Sequence, residues 1–295
     1  MFANLYRLFS RYVWLLVLAA VVVLYMLGAG IARYLGAPFD WGVYWLGKMW
    51  VVSFHLGVYL LTRYFDLQLA VEKMGKKLFD LLPYRSGLLL GSASFMTVAA
   101  SLTVLLISSG RLTPPTFTTL IIGVLGGVFY ATPPVQLASR GYGELTIAVL
   151  LSNILPLFAF LLQFGEFHRV LAMATFPITL LLLALTLIFD LPHYATRVKY
   201  QKSTLAVRMG WENAMIAHNI LVLGAFLLVG LAAIFGFPSF ATFPALLPLP
   251  LGLLQVWYVA RIANGAKPNW NALSLSAVAL VGFMAYVMNF AFWTH

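Results

Sequence analysis

Cysteine is absent from the chain. That excludes disulfides, thiolate nucleophiles and cysteine-ligated zinc. Charge is scarce as well: 9% of the 295 residues are Asp, Glu, Lys or Arg, against about 25% in a typical soluble domain. Acid is the scarcer sign, with 8 Asp and Glu against 18 Lys and Arg and a net charge of +10. The remaining sequence is 62% apolar, with a mean hydropathy of +0.94. A water-soluble core of this length cannot bury so much apolar surface, so a soluble enzyme is excluded. A disordered chain is excluded for the same reason.

Nine apolar runs are each long enough to cross a bilayer, which takes about 20 residues of helix. They lie at 12–33, 41–62, 86–108, 113–131, 145–164, 169–189, 214–236, 240–260 and 272–293. None alternates with the period of two that a barrel strand needs, and an open sheet cannot satisfy its backbone in lipid, so all are read as helices. The first run is too long for a signal peptide and is followed by no small-residue cleavage site. The expected fold class is an all-α polytopic membrane protein, a single transmembrane domain over 1–295.

The basic residues assign an orientation. With the N-terminus in the cytoplasm, fourteen fall inside: Arg7, Arg11, Arg63, Lys73, Lys76, Lys77, Arg85, Arg140, Arg197, Lys199, Lys202, Arg208, Arg261 and Lys267. Arg33, Arg111 and Arg169 fall outside, and Lys48 lies within the second run. Such a split follows the positive-inside rule. It turns most of the net charge into a topology signal and argues against nucleic acid as a partner. The expected location is the cell inner (cytoplasmic) membrane, with polar chemistry on the cytoplasmic face.

The two longest inside loops, 63–85 and 190–213, open on one tripeptide: Phe65-Asp66-Leu67 and Phe189-Asp190-Leu191. Lysines follow each, Lys76 and Lys77 in the first, Lys199 and Lys202 in the second. This echo suggests a duplicated four-helix unit, about 41–164 and 169–293, with Asp66 and Asp190 facing one central cavity.

A third inside loop reads Tyr130-Ala-Thr-Pro-Pro-Val-Gln-Leu-Ala-Ser-Arg140-Gly-Tyr-Gly-Glu144. It resembles the Tyr-x-x-Pro-Pro…Arg-Gly-Leu-Gly-Glu segment of the UbiA-type intramembrane prenyltransferases, closest to the branch that prenylates 1,4-dihydroxy-2-naphthoate in menaquinone biosynthesis. Lys202-Ser-Thr-Leu-Ala-Val-Arg208-Met-Gly210 is similar to that family's Gly-Lys-x-Thr-Leu-Ala-Val-Arg-Leu-Gly stretch. The resemblance covers essentially the whole chain. It implies nine transmembrane helices in a UbiA-type bundle around a central cavity. It also implies transfer of an isoprenyl group from its diphosphate to an aromatic ring. Mg²⁺ held by Asp-rich motifs in both long loops would neutralise the leaving diphosphate.

The motifs depart from that pattern. Asp66 and Asp190 stand at motif positions, and Glu72 is a replacement acid; these three are the candidate catalytic residues, Asp66 and Asp190 also the candidate metal ligands. Arg63 stands where an acid is expected and Tyr59 where an Asn is. His193, Ala195 and Arg197 replace three acids, and Gln136 and Ala138 replace two cations. Unit charges about 4 Å apart interact by roughly 4 kcal/mol at an effective dielectric of 20, so Arg at these positions repels Mg²⁺. Three readings follow. One is a catalytically degenerate homologue, a pseudoenzyme whose partner is a membrane lipid or an isoprenoid, quinone or pigment tail, or which serves as a subunit of a membrane-protein complex. Another is an active transferase whose Arg63, Arg140, Arg197, Lys202 and Tyr130 grip the diphosphate directly. The third is a transporter on the same fold.

Other polar residues have plainer expectations. Lys48 either faces the cavity or snorkels. His55, two turns further along the same helix face, is expected to hydrogen-bond another helix, as are His218 and Asn219. Lys73, Lys76 and Lys77 are expected to face lipid headgroups. Trp41, Trp257 and Trp293 are expected as interfacial anchors. Pro244, Pro248 and Pro250 are expected to kink or break the eighth run.

Overall fold

The structure, a computed structural model, describes the backbone of residues 2–74, 82–199 and 203–295 and the side chains of 14–66, 84–199 and 203–295. The described residues are helical, with no strand beyond one isolated bridge. Helix α1 is Phe2–Tyr34, α2 Trp41–Met74, α3 Leu82–Ser108 and α4 Pro114–Ala131. A fifth crossing is made of α5 (Gly143–Val149), a π-helical turn (Leu150–Ile154) and α6 (Leu155–Phe164). Then come α7 (Arg169–Asp190), the short α8 (Tyr194–Lys199) and α9 (Leu205–Met209), α10 (Trp211–Ile234), α11 (Ser239–Leu246), α12 (Leu249–Ala263) and α13 (Trp270–Thr294).

Among the described residues, eight segments are long and apolar enough to cross a membrane. The molecule is a multi-pass, all-helical membrane protein. α2 is not among the eight. It carries Lys48, Arg63 and Asp66 and is rich in Trp and Tyr, yet it packs within the bundle against α1, α3, α4 and α6. It also runs further than expected: the segment 63–74, read as loop from its charges, continues α2 to Met74. Its Leu, Gln, Ala, Glu, Lys and Met are good helix formers, so crossing the membrane boundary does not end the helix.

Local chemistry sets the other ends. Pro114 and Pro115 open α4, where a missing N–H costs nothing. Gly165, in the left-handed region at φ 86°, closes α6 by donating to the Leu161 carbonyl at 2.9 Å. The eighth run does break, at Leu247 and Pro248, into α11 and α12. Pro248 and Pro250 cannot donate to the preceding turn.

The core is formed by α1, α6, α7, α10 and α13, through Leu24, Leu27, Phe160, Ile178, Phe226, Met288 and Phe292. Polar ties fix α1 to its neighbours. The Tyr25 hydroxyl donates to the Tyr44 carbonyl at 2.9 Å, Asn289 Nδ2 to the Val23 carbonyl at 2.8 Å and Trp293 Nε1 to the Met26 carbonyl at 3.0 Å. Trp293 is therefore a packing residue between α1 and α13 rather than a simple interfacial anchor, whereas Trp41 and Trp257 are exposed.

The charges separate to the two ends of the bundle. Arg33 stacks on Trp293 at 5.5 Å, and Arg111 pairs with Asp40 at 4.0 Å, which in turn is bonded to Gln163. With Arg169 they mark one end. Asp66, Tyr130, Arg140, Glu144 and Asp190 mark the other.

Helices α1 and α6 meet at Gly28, where an added Cβ would strike the Pro156 backbone. We expect Gly28→Leu to lower the melting temperature sharply, since overpacking costs about 1–3 kcal/mol and here the obstacle is backbone. Gly282→Leu, which meets open space, should leave it nearly unchanged in the same thermal-unfolding assay.

Candidate functional site

A cavity of about 340 Å³ opens between α1, α2, α4 and the α5–α6 crossing. Its deep walls are apolar and aromatic, including Trp50, Phe54, Leu120 and Phe158, and its mouth carries Thr62, Arg63, Asp66 and Tyr130. Trp50 and Phe54 stack at 5.2 Å along one wall. The small residues Gly123 and Gly127 of α4 leave room for the cavity. A Cβ at Gly127 would press on Phe54 at 2.8 Å.

The two motif segments meet beside that mouth. Arg140 and Ser203 form a parallel bridge. Arg208 stacks on the Tyr142 ring at 4.4 Å and donates to the Arg140 carbonyl at 3.5 Å. Gly141 is required here: φ is +81°, and a Cβ would collide with the Arg208 side chain and Ser203 Oγ. Gly143 lets the chain fold back on itself, since its Cβ would sit 2.8 Å from the Ala138 backbone. Thr204 caps α9 by accepting from the Val207 N–H at 3.4 Å. This junction sets the Leu205 amide against the Glu144 carboxyl at the start of α5.

The Glu144 carboxyl lies close to that of Asp190. Asp190, buried at the end of α7, forms an ion pair with Arg197. The Tyr130 hydroxyl lies within electrostatic reach of Asp66, Glu144 and Asp190 at once. The structure therefore brings Asp66, Tyr130, Asp190 and Arg197 into one polar cluster and adds Glu144, which stood in the quoted motif but was not singled out as a site residue. Its place beside two glycines that the backbone requires was the available signal.

The other expected residues are placed as follows. Arg63 lines the cavity mouth, exposed, with Nε donating to the Tyr59 hydroxyl at 3.2 Å and the guanidinium over that ring. The Arg140 side chain is exposed and does not line the cavity. Lys76, Lys77 and Lys202, and the side chains of Glu72 and Lys73, lie outside the described residues. His193 is exposed beside Asp190 and Arg197. His55 differs from expectation: it faces the cavity and makes no hydrogen bond to another helix among the described residues. Lys48 snorkels, lying over Tyr44 and Trp45 towards the Asp40 end of α2. His218 bonds Asn219 of its own helix at 3.1 Å, and its ring is fully buried facing Gln255 of α12.

No family model matches the sequence, and no curated protein does. Solved structures do match. One is a digeranylgeranylglyceryl phosphate synthase, with a TM-score of 0.68 and 12% identity over 94% of this chain and 93% of that one. Another is a UbiA homologue from Archaeoglobus fulgidus bound to GPP and Mg²⁺, with a TM-score of 0.56 and 11% identity over 96% of this chain and 99% of that one. The same homologue bound to DMAPP and Mg²⁺ also matches, at a TM-score of 0.56. The fold is UbiA-type.

Those neighbours make Mg²⁺ a plausible ligand of a UbiA-type site, so this chain's residues must be tested against it. Among the described residues, no three Asp, Glu, His or Cys side chains converge on a metal position. Asp190 is engaged by Arg197, and Glu144 lies beside it. Asp190 Oδ2 and Glu144 Oε2 are buried and have no hydrogen-bond partner among the described residues. The guanidinium paired with Asp190 repels a dication, so Asp190 as placed is a poor magnesium ligand.

Removing Arg197 should strand a buried carboxylate. Breaking such a pair costs roughly 3–5 kcal/mol at full burial, and somewhat less here because the Arg197 side chain keeps 23% exposure. We expect Arg197→Met to lower thermal stability and the double variant Arg197→Met with Asp190→Asn to regain most of it in the same assay.

Proposed function

We propose that this protein is an isoprenoid-binding member of the UbiA-type architecture that works without Mg²⁺. Its occupant is an isoprenoid lipid, or a quinone or pigment bearing such a tail. The observation that carries the reading is the pairing of an apolar cavity with a neighbouring motif carboxylate, Asp190, that is already engaged by Arg197. The tail would lie along Trp50, Phe54 and Phe158, and the polar head would meet Arg63, Asp66 and Tyr130. We further read nine spans, with α2 as the ninth, the N-terminus cytoplasmic and the cell inner membrane as the location. The duplicated unit, 41–164 and 169–293, is part of this reading; Asp66 and Asp190 both lying close to Tyr130 supports it.

A second reading rests on Arg63. It stands at the mouth with no carboxylate partner among the described residues. A guanidinium so placed is a good ligand for a diphosphate, through charge-assisted hydrogen bonds. On that reading the chain is a transferase whose Arg residues do the work that Mg²⁺ does elsewhere.

Lipid extraction from the purified protein, followed by mass spectrometry, distinguishes the readings. An isoprenoid-bearing molecule should co-purify. Gly123→Phe, which fills the cavity from α4, should reduce its yield about tenfold, while Gly282→Ala should not. Incubation with a prenyl diphosphate and an aromatic acceptor provides the other arm. No turnover supports the binding reading, and turnover that persists with chelator supports the Arg63 reading. Turnover abolished by chelator would overturn both.

A further inference from the structure

A second cavity lies away from the mouth cluster, and nothing above assigns it. It is a groove of about 550 Å³ between the α5–α6 crossing and α7. Its walls include Val149, Leu157 and Leu171, and Phe167 and Phe176 stand at its edges 65% and 54% exposed. The groove exists because both helices are irregular at its floor. The π-helical turn Leu150–Ile154 widens one, and Pro177 interrupts the ladder of the other. Between them lies a polar floor: Asn153 Nδ2 donates to Thr179 Oγ1 at 2.7 Å, and Thr175 Oγ1 donates to Asn153 Oδ1 at 3.1 Å. Asn153, Thr175 and Thr179 all line the groove.

At the groove's end stands Arg169. Four cations lie towards this end of the bundle among the described residues, and Lys48 rests on Tyr44 and Trp45. Arg33 rests on Trp293, and Arg111 pairs with Asp40. Arg169 lines the groove, is exposed and has no ion pair, hydrogen bond or ring partner among the described residues. Glu166, three residues before it, is exposed and makes no ion pair with it. His168 beside it is turned to the helix, with Nδ1 accepting from the Val170 N–H at 3.3 Å.

We propose that this groove is a binding site for one anionic glycerophospholipid of the surrounding membrane. Its phosphate pairs with Arg169, its ester region meets the Asn153–Thr175 floor, and an acyl chain runs on past Phe176 towards Val149. The spacing suits such a molecule. Thr175 lies about 9 Å along the helix from Arg169, at roughly 1.5 Å per residue. The headgroup layer on each face of a bilayer is comparably deep, about 5–8 Å. A lone fixed cation over an apolar slot with a polar step partway down matches a molecule that is anionic, then ester, then hydrocarbon. A free phosphate would use the cation alone.

The test uses the full chain in nanodiscs or mild detergent, with phosphatidylglycerol, phosphatidylcholine or inorganic phosphate as probes. Native mass spectrometry reads the lipid retained, and thermal unfolding reads the stabilisation. Wild-type protein should retain phosphatidylglycerol over phosphatidylcholine and be stabilised by it, and inorganic phosphate should do neither. Arg169→Gln should weaken that preference about fivefold, the scale of one charge-assisted contact, and Arg169→Lys should keep part of it. Arg111→Gln, a cation at the same end outside the groove, should leave the preference intact. The proposal is overturned if Arg169→Gln binds phosphatidylglycerol like wild type, if phosphatidylcholine is retained equally, or if inorganic phosphate stabilises as well as the lipid. Should Arg169→Gln fail to fold, wild-type retention at raised ionic strength decides, and a preference indifferent to salt overturns the proposal.

Discussion

A backbone inside a bilayer has no water to bond to, so each N–H must find its carbonyl within its own helix. Every other property of this molecule follows from meeting or locally relaxing that demand. Where the ladder is intact, side chains are free to be apolar, and the core of α1, α6, α7, α10 and α13 is built that way. Where it is interrupted, something polar takes up the slack. The break at Pro248 is closed by Leu247 donating to the Pro244 carbonyl at 3.0 Å. The π-helical turn in the fifth crossing sits beside Ser152, Asn153, Thr175 and Thr179, which bond to one another across the helix gap. Irregular backbone and buried polar groups therefore occur together, and the space between them is where the second groove opens.

The same scarcity of water governs the charges. A buried carboxylate must be paired or protonated, and at the end of α7 Arg197 pairs with Asp190, with the Glu144 carboxyl close by. The Asp190 charge is thus opposed at contact by a guanidinium. Once the pair is formed the guanidinium is committed, so Asp190 has little left to offer a dication. Arg63 differs in kind. It is exposed, stacked on Tyr59 and unopposed by a bonded carboxylate, so its charge remains available to whatever enters the cavity mouth. Two arginines that look alike as replacements for acids in the sequence thus have different electrostatic roles.

Much of the fold was legible because it depends on composition over long windows. Apolar runs mark helices, and Pro248 and Pro250 mark a break that the structure contains. The neighbourhood of Asp66 and Asp190 was legible from a repeated tripeptide, and the contact between the Arg140 and Arg208 segments explains why both stood out as motifs. The remainder depends on distances that no spacing encodes. The run of α2 past Asp66 to Met74 was hidden because charge was taken as a helix end, though helix propensity is indifferent to the membrane boundary. Glu144 stands at the end of a quoted motif, and nothing in its spacing sets Asp190 close to it. His55 was expected to bond a neighbour, yet the α2 face that carries it borders open space. The groove needed two irregularities, the π turn and Pro177, to lie opposite each other across a helix pair, and only the assembled bundle brings them together.

The two cavities border different faces of the α5–α6 crossing, with their cations towards opposite ends of the bundle, and meet the same recognition problem with different means. Each has an apolar body and one cation at its entrance. At the mouth near Asp66, the cation shares the lining with that carboxylate, Tyr130 and Thr62. A ligand head there must satisfy donors and acceptors of both signs, which favours a polar group of mixed character over a simple anion. At the groove, Arg169 also has a carboxylate three residues away, Glu166, but that residue does not line the groove, whose polar lining besides Arg169 is His168, Asn153, Thr175 and Thr179. With no carboxylate in the lining, a head there need only carry negative charge. The groove therefore suits an abundant ligand drawn from the surrounding membrane.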